Sequence, residues 1–251
     1  MEPELCGCRE IYLNFGCFYD SDGLTAHRKD LLALREANQA IYPEVYAHLR
    51  SARDLQSCAR RVCENRDPEG LYRLVRRFFD DAPAAGNEGV GRDVFLRAWT
   101  PDGLTDHTPD VLALCPTCIA LRDPFGLSAP LLERLELQFR KAGCGCIRVL
   151  SPIDPNRPEG LLVPERGLAF LNAEQGAVTV DLRRFFRAED SAEVLLAESR
   201  THCEAASALL AQAKALHDEM EAICRPYVRF DGVDLLTAEY KKQLRAELLR
   251  K

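Results

Sequence analysis

The sequence predicts an α/β protein, with a parallel sheet, flanking helices and a layer of long amphipathic helices. Three observations carry that expectation. Residues 118–135 read as a buried strand, a glycine-containing turn and the start of an amphipathic helix. A second apolar run at 146–150 follows that helix, and strand, helix and strand in this order make a parallel crossover unit. Two stretches, 25–64 and 191–224, keep apolar residues at alternating spacings of three and four, as helices packed on other helices do.

Composition narrows the field. The chain has 251 residues, enough for one large or two small domains with a sizeable core. Hydrophobic residues make up 47% and charged residues 29%, with a net charge of −6. Nucleic acid and anionic membranes require clustered Lys and Arg, so the acidic balance excludes both as expected partners. Arg76-Arg77 and Arg183-Arg184 are pairs, not patches. The opening Met-Glu-Pro-Glu-Leu-Cys lacks the basic and apolar regions of an export signal, and a cytoplasmic location is expected. An odd count of 11 cysteines argues for reduced thiols. Three close pairs occur: Cys6/Cys8, Cys115/Cys118 and Cys144/Cys146. Joining the last two pairs would make a zinc-binding module. Both open strand-like runs, where side chains alternate between faces, so buried thiols are the favoured reading.

In chain order, residues 9–20 read as a strand ending at the Asp20-Ser21-Asp22-Gly23 turn, whose acidic residues suit a helix cap. The 25–64 helix carries Leu31, Leu34, Ile41, Val45, Leu49, Ala52, Leu55, Ala59 and Val62. Pro43 removes an N–H and predicts a kink or two helices. A short helix bears Leu71, Leu74, Val75 and Phe78. Residues 80–92 are small, polar and glycine-rich, the composition of a linker. Residues 94–99 read as a strand and 100–107 as a turn. After the 128–142 helix, Gly143 suits the left-handed position that ends a helix. Residues 151–160 form a proline-rich loop, and 167–172 and 177–182 read as strands. The 191–224 helix presents Leu196, Ser199, Cys203, Ala206, Leu210, Ala213, His217 and Met220. Pro226 ends it, and 235–249 is a last amphipathic helix.

An internal repeat links the two long helices. Leu49, Ala52, Leu55 and Cys63 match Leu210, Ala213, Leu216 and Cys224 at one constant offset. Phe18-Tyr19 before the first helix matches Phe185-Phe186 before the second. If the helices pair, Leu49, Ala52 and Leu55 are expected near Leu210, Ala213 and His217.

The turn after the 118–121 strand is where a P-loop would stand. Such a loop uses glycines so that backbone N–H groups can wrap phosphates, a Lys for the β- and γ-phosphates and a Ser or Thr for Mg²⁺. Here Ser128-Ala129-Pro130 occupies the Lys-Ser/Thr place. Arg122, Asp123, Gly126 and Ser128 would line a pocket at the strand's carboxyl end, where open α/β sheets bind ligands. The competing reading is a solvated turn. His217, Asp218 and Glu221 lie one helical turn apart and form a second candidate site for a metal or a proton. Since His217 falls on the apolar seam, a core histidine is the favoured reading.

In this order the residues resemble uncharacterised bacterial P-loop ATPase-like proteins with two tandem NTPase-like lobes. The resemblance runs from Thr100-Pro-Asp-Gly103 through the turn to Asp154-Pro155, Val163-Pro164-Glu165, 168–172 and Ala213-Lys-Ala-Leu-His-Asp-Glu219. It implies that 1–80 is the remnant of a first lobe, 81–92 a flexible linker, and 93–251 a degenerate P-loop-NTPase-like domain with a helical tail. The chain departs from the family at its chemistry. The Lys and Ser/Thr are absent, and the strand that should end in an acid ends in Asn172. A catalytically inactive binding or scaffolding protein is therefore expected, without a cofactor, as a homodimer or beside an intact NTPase paralogue. The alternative is a weak ATP- or GTP-binding protein or phosphotransferase, with charge from Arg122 or Arg148 and Asp154 holding Mg²⁺.

Overall fold

The computed structural model describes residues 13–79, 89–174 and 176–248. They divide into two compact units. One is the stretch Ile41–Gln212, and the other joins the described residues up to Ala40 with those from Ala213 onward. The helices are α1 (Ser21–Ala26), α2 (Arg28–Arg61), α3 (Pro68–Phe79), α4 (Ala129–Lys141), α5 (Asp190–Cys224) and α6 (Phe230–Leu248). The strands are β1 (Cys63–Asn65), β2 (Gly91–Val94), β3 (Arg97–Thr100), β4 (Gly103–Asp106), β5 (Thr117–Arg122), β6 (Cys146–Leu150), β7 (Pro158–Val163), β8 (Leu168–Asn172), β9 (Val178–Asp181) and β10 (Phe186–Ala188).

The main sheet has the order β2-β6-β7-β8-β5-β9. It is mixed, which corrects the expectation of a parallel sheet. β2 runs parallel to β6, and β5 runs parallel to both β8 and β9. β7 runs antiparallel to its neighbours β6 and β8. The cause lies between β6 and β7. A parallel return needs a crossover of a dozen or more residues, and the loop from Ser151 to Arg157 is too short for one. Pro158 and Gly160 hide β7 in the sequence because they read as loop. Pro158 is the first residue of its strand, where no ladder donor is required. Gly160 is there for close approach, since a Cβ would stand 2.8 Å from a Leu171 methyl and 3.0 Å from the Phe170 carbonyl oxygen.

Alternation along the strands sorts the core onto two faces. One face carries Ile119, Leu121, Cys146, Leu161, Val163 and Phe170, covered by Leu131, Leu132, Leu135 and Phe139 of α4 and by Val75 of α3. The other carries Ile147, Val149, Leu162, Ala169 and Leu171, covered by Leu96, Val111 and Cys115. Gly143, with φ +78°, follows α4 in the left-handed conformation expected of it.

Several sequence expectations need correction. Residues 13–20 form no strand: Phe15–Phe18 is a 3-10 turn, and Tyr19 makes an isolated bridge to Val228. Residues 1–12 and 80–88, including Cys6/Cys8 and most of the linker, lie outside the described residues, while Gly91 and Arg92 belong to β2. The 94–99 run is divided between β2 and β3, and β3 pairs with β4 as a separate hairpin. Asp20 does cap a helix, accepting from Gly23 N–H at 3.0 Å at the start of α1.

α2 continues unbroken through Pro43. The long helices meet, but antiparallel. In the Ile41–Gln212 unit, Ser199 Oγ donates to the Ala52 carbonyl at 3.0 Å, and the Nδ1 atoms of His48 and His202 lie 2.9 Å apart. In the other unit Asn38 Nδ2 donates to the Ala213 carbonyl at 2.6 Å. Ala52 therefore meets Ser199, not Ala213. β1 follows α2, β10 precedes α5, and the two strands pair antiparallel. That pairing puts the end of one helix beside the start of the other.

Candidate functional site

Asp123 follows β5 directly and is 3% exposed. Its Oδ1 accepts from Leu127 N–H at 2.7 Å and its Oδ2 from Ser128 N–H at 2.6 Å. The chain turns through Gly126, whose φ of +68° is a left-handed value that favours glycine. α4 begins at the next residue after Ser128, and the Ser128 side chain makes no capping bond. The carboxylate of Asp123 thus satisfies donors at the start of α4 and meets the positive end of the helix dipole.

Around this loop lies a cavity of about 210 Å³. The loop 123–128 forms one wall, the loop after β6 another, and Arg60 of α2, Trp99 of β3 and Leu196 of α5 reach in beside them. The second wall is tied internally. Ser151 N–H donates to the Arg157 carbonyl at 3.0 Å, and Arg157 N–H donates to the Asp154 carbonyl at 2.9 Å. Asp154 faces Arg60 at 3.4 Å, with both side chains largely buried. Burial pushes the pKa of the Arg60 guanidinium down, and nearby Arg157 pushes it the same way, against Asp154 and Asp123. Arg157 donates to the Gly126 carbonyl at 3.1 Å. Arg97 holds Glu159 at 2.6 Å, while burial pushes the Glu159 carboxyl up in spite of that pairing. Trp99 Nε1 is the one buried side-chain polar atom without a partner among the described residues.

Of the sequence candidates, Asp123, Gly126, Ser128, Asp154 and Asn172 line this cavity together. Asn172 Nδ2 donates to the Asp123 carbonyl at 3.3 Å. Arg122 turns away to Glu174, accepted by its carbonyl at 3.0 Å. Arg148 is held by Asp93, with contacts of 2.7 and 2.9 Å, on the neighbouring strand. Neither arginine lines the cavity.

No family model, curated protein or solved structure matches this chain. The site is therefore read from its own chemistry.

Burial of the α5 face that carries Cys203, Ala206 and Ala213 does not extend to His217, which is exposed and so is not the core histidine expected. His217 bonds Glu221 at 3.1 Å, and Asp218 bonds Lys214 at 2.6 Å, so the three residues form two separate surface pairs. Cys115 and Cys118 pack on one face of the sheet and Cys144 and Cys146 on the other, which separates the cysteines of the zinc reading. Among the described residues no three metal-ligating side chains gather. Burial pushes the Cys146 thiol up to about 12 and the Cys203 thiol up to about 11. No described helix is long and apolar enough to cross a membrane.

Sequence reasoning missed Arg60, Arg97, Trp99, Arg157 and Glu159. Two clues were present: Arg157 sits between Pro155 and Pro158 in the loop after β6, and Trp99 is the single tryptophan.

Proposed function

We propose that this chain is a P-loop-NTPase-like protein without catalysis, akin to the tandem P-loop ATPase-like proteins, that serves as a binding or scaffolding partner. The observation that carries the reading is the Asp123 carboxylate on the Leu127 and Ser128 N–H groups. A phosphate cradled at a helix N-terminus uses backbone donors of this kind, and here a side chain already takes them. Ser128-Ala129-Pro130 supplies no lysine, and Asn172 offers an amide where a metal site would want a carboxylate. The partner implied is a second copy or an intact paralogue. Tyr46 on α2 and Val194 on α5, both more than half exposed, give such a partner apolar surface.

The test is a thermal-shift titration with Mg-ATP and Mg-GTP, run alongside a phosphate-release assay. A flat titration without phosphate release is expected. A saturable shift accompanied by release overturns the reading.

A further inference from the structure

At one end of the main sheet an open strand edge, an apolar groove and a group of arginines come together. β9 is the last strand, bonded to β5 on one side, and its other edge has no strand partner among the described residues. The backbone N–H and C=O groups of an open edge are a template for an incoming strand. Beside β9 lies a groove of about 270 Å³, lined by α3, by β9 and by residues that follow β9. Val180 shares a core with Val75 of α3, so the two-residue alternation of a strand turns Val178 and Val180 toward α3. Val178 is 40% exposed there, and Phe78 and Phe185 extend the apolar lining.

The charges of the groove are one-sided. Arg73, Arg77 and Arg184 line it, and no aspartate or glutamate does. Arg73 is shared between Asp67 and Glu69, each at 3.5 Å. Neighbouring Arg183 is matched by Asp181 at 2.6 Å. Arg77 and Arg184 are exposed and, among the described residues, have no carboxylate within ion-pairing distance. Two guanidinium charges are therefore left unmatched in one groove, in a chain whose net charge is −6.

We propose that this groove binds an extended acidic peptide of a protein partner, added as a strand along β9. The peptide backbone pairs with the open edge. Its groove-facing side chains come from every second residue, with carboxylates for Arg77 and Arg184 on either side of a small apolar residue against Val178. A planar carboxylate suits a guanidinium fork. Nucleic acid is disfavoured, because it binds by neutralising several phosphates together and offers nothing to a strand edge. The inference rests on the reading of this chain as a binding or scaffolding protein, and it names the chemistry of one partner.

The experiment follows the fluorescence anisotropy of a labelled peptide, Ser-Glu-Thr-Val-Thr-Glu-Ser, as the purified full chain is added at constant ionic strength. A saturable rise is expected. The double variant Arg77→Gln/Arg184→Gln should weaken binding by about tenfold or more. Arg76→Gln, an exposed position of α3 outside the groove, should leave it unchanged. Backbone N–H groups of a strand alternate between its two edges. Of two peptides N-methylated at alternate sets of residues, one should therefore lose binding and the other keep it. The proposal is overturned by the absence of a saturable rise at up to about 1 mM protein, by a double variant that binds as the parent does, or by two methylated peptides that both bind as the unmodified one does. Tighter binding of a single-stranded oligothymidine of equal charge also overturns it. Mg-ATP binding with phosphate release would instead overturn the non-catalytic reading while the peptide affinity stays measurable, so the two failures are distinguishable.

Discussion

At Asp123 one carboxylate closes a loop and starts a helix. Hydrogen bonds to a charged group are worth about 1.5–3 kcal/mol, so Asp123→Ala should lower the unfolding free energy by about that much or more. Urea denaturation measures the loss. Sulfate should then stabilise the variant more than the parent, because the two N–H groups become open to an outside anion. An equal sulfate effect on both would show that the carboxylate does not hold those donors. Glu159 gives a prediction in pH. Burial raises its folded-state pKa above the unfolded value, despite Arg97. Its contribution to stability is therefore fully present below the unfolded pKa and lost as pH rises through the raised folded value. The stability of the parent relative to Glu159→Gln should fall across that window and then level off. A constant difference from pH 4 upward would contradict the burial effect. The sequence made Asp123, Gly126 and Ser128 legible because one strand, turn and helix carry them. Arg60, Trp99 and Arg157 come from elements far apart in the chain, and no local pattern joins them.

The long helices meet through small and polar residues. Ala52 is fully buried, and Ser199, 1% exposed, bonds its carbonyl. A larger side chain there has no room, so Ala52→Leu should cost about 1–3 kcal/mol. Chemical denaturation checks this, and a variant as stable as the parent would show slack between the helices. Apolar spacing revealed both helices, with ends close to those observed, because the period depends on one face being buried. It carried no information about direction, which the β1–β10 pairing sets. The strands at 146–150 and 168–172 were likewise legible as apolar runs. β7 was not, since proline and glycine are punctuation in most chains, and only the neighbouring Leu171 and Phe170 reveal why glycine is needed at 160.

Across the whole chain, the expected division at 81–92 differs from the packing. α3 precedes that stretch, yet its aromatic rings complete the core of the main sheet. Phe78 meets Phe170 with ring centroids 5.2 Å apart, and Phe79 meets Phe139 at 5.4 Å. Both contacts are edge-on, the favoured geometry for aromatic pairs. A shortened chain beginning at residue 92 should therefore expose Phe139 and Phe170, bind a hydrophobic dye and lose cooperative unfolding. Near-ultraviolet circular dichroism and dye fluorescence measure this. Retention of the parent's urea midpoint would show that α3 is dispensable. The glycine-rich composition of 80–92 was legible, but the long-range aromatic contacts that join its two sides were not.

The Asp123 carboxylate also changes what the loop is able to report. It is a competitor tethered a few residues from its own binding place, so its effective concentration there does not vary with anything in solution. A free anion must displace it rather than fill a vacancy. On the proposed non-catalytic reading, such a loop would keep one state as nucleotide levels change, and the domain behind it would keep one shape for its partner.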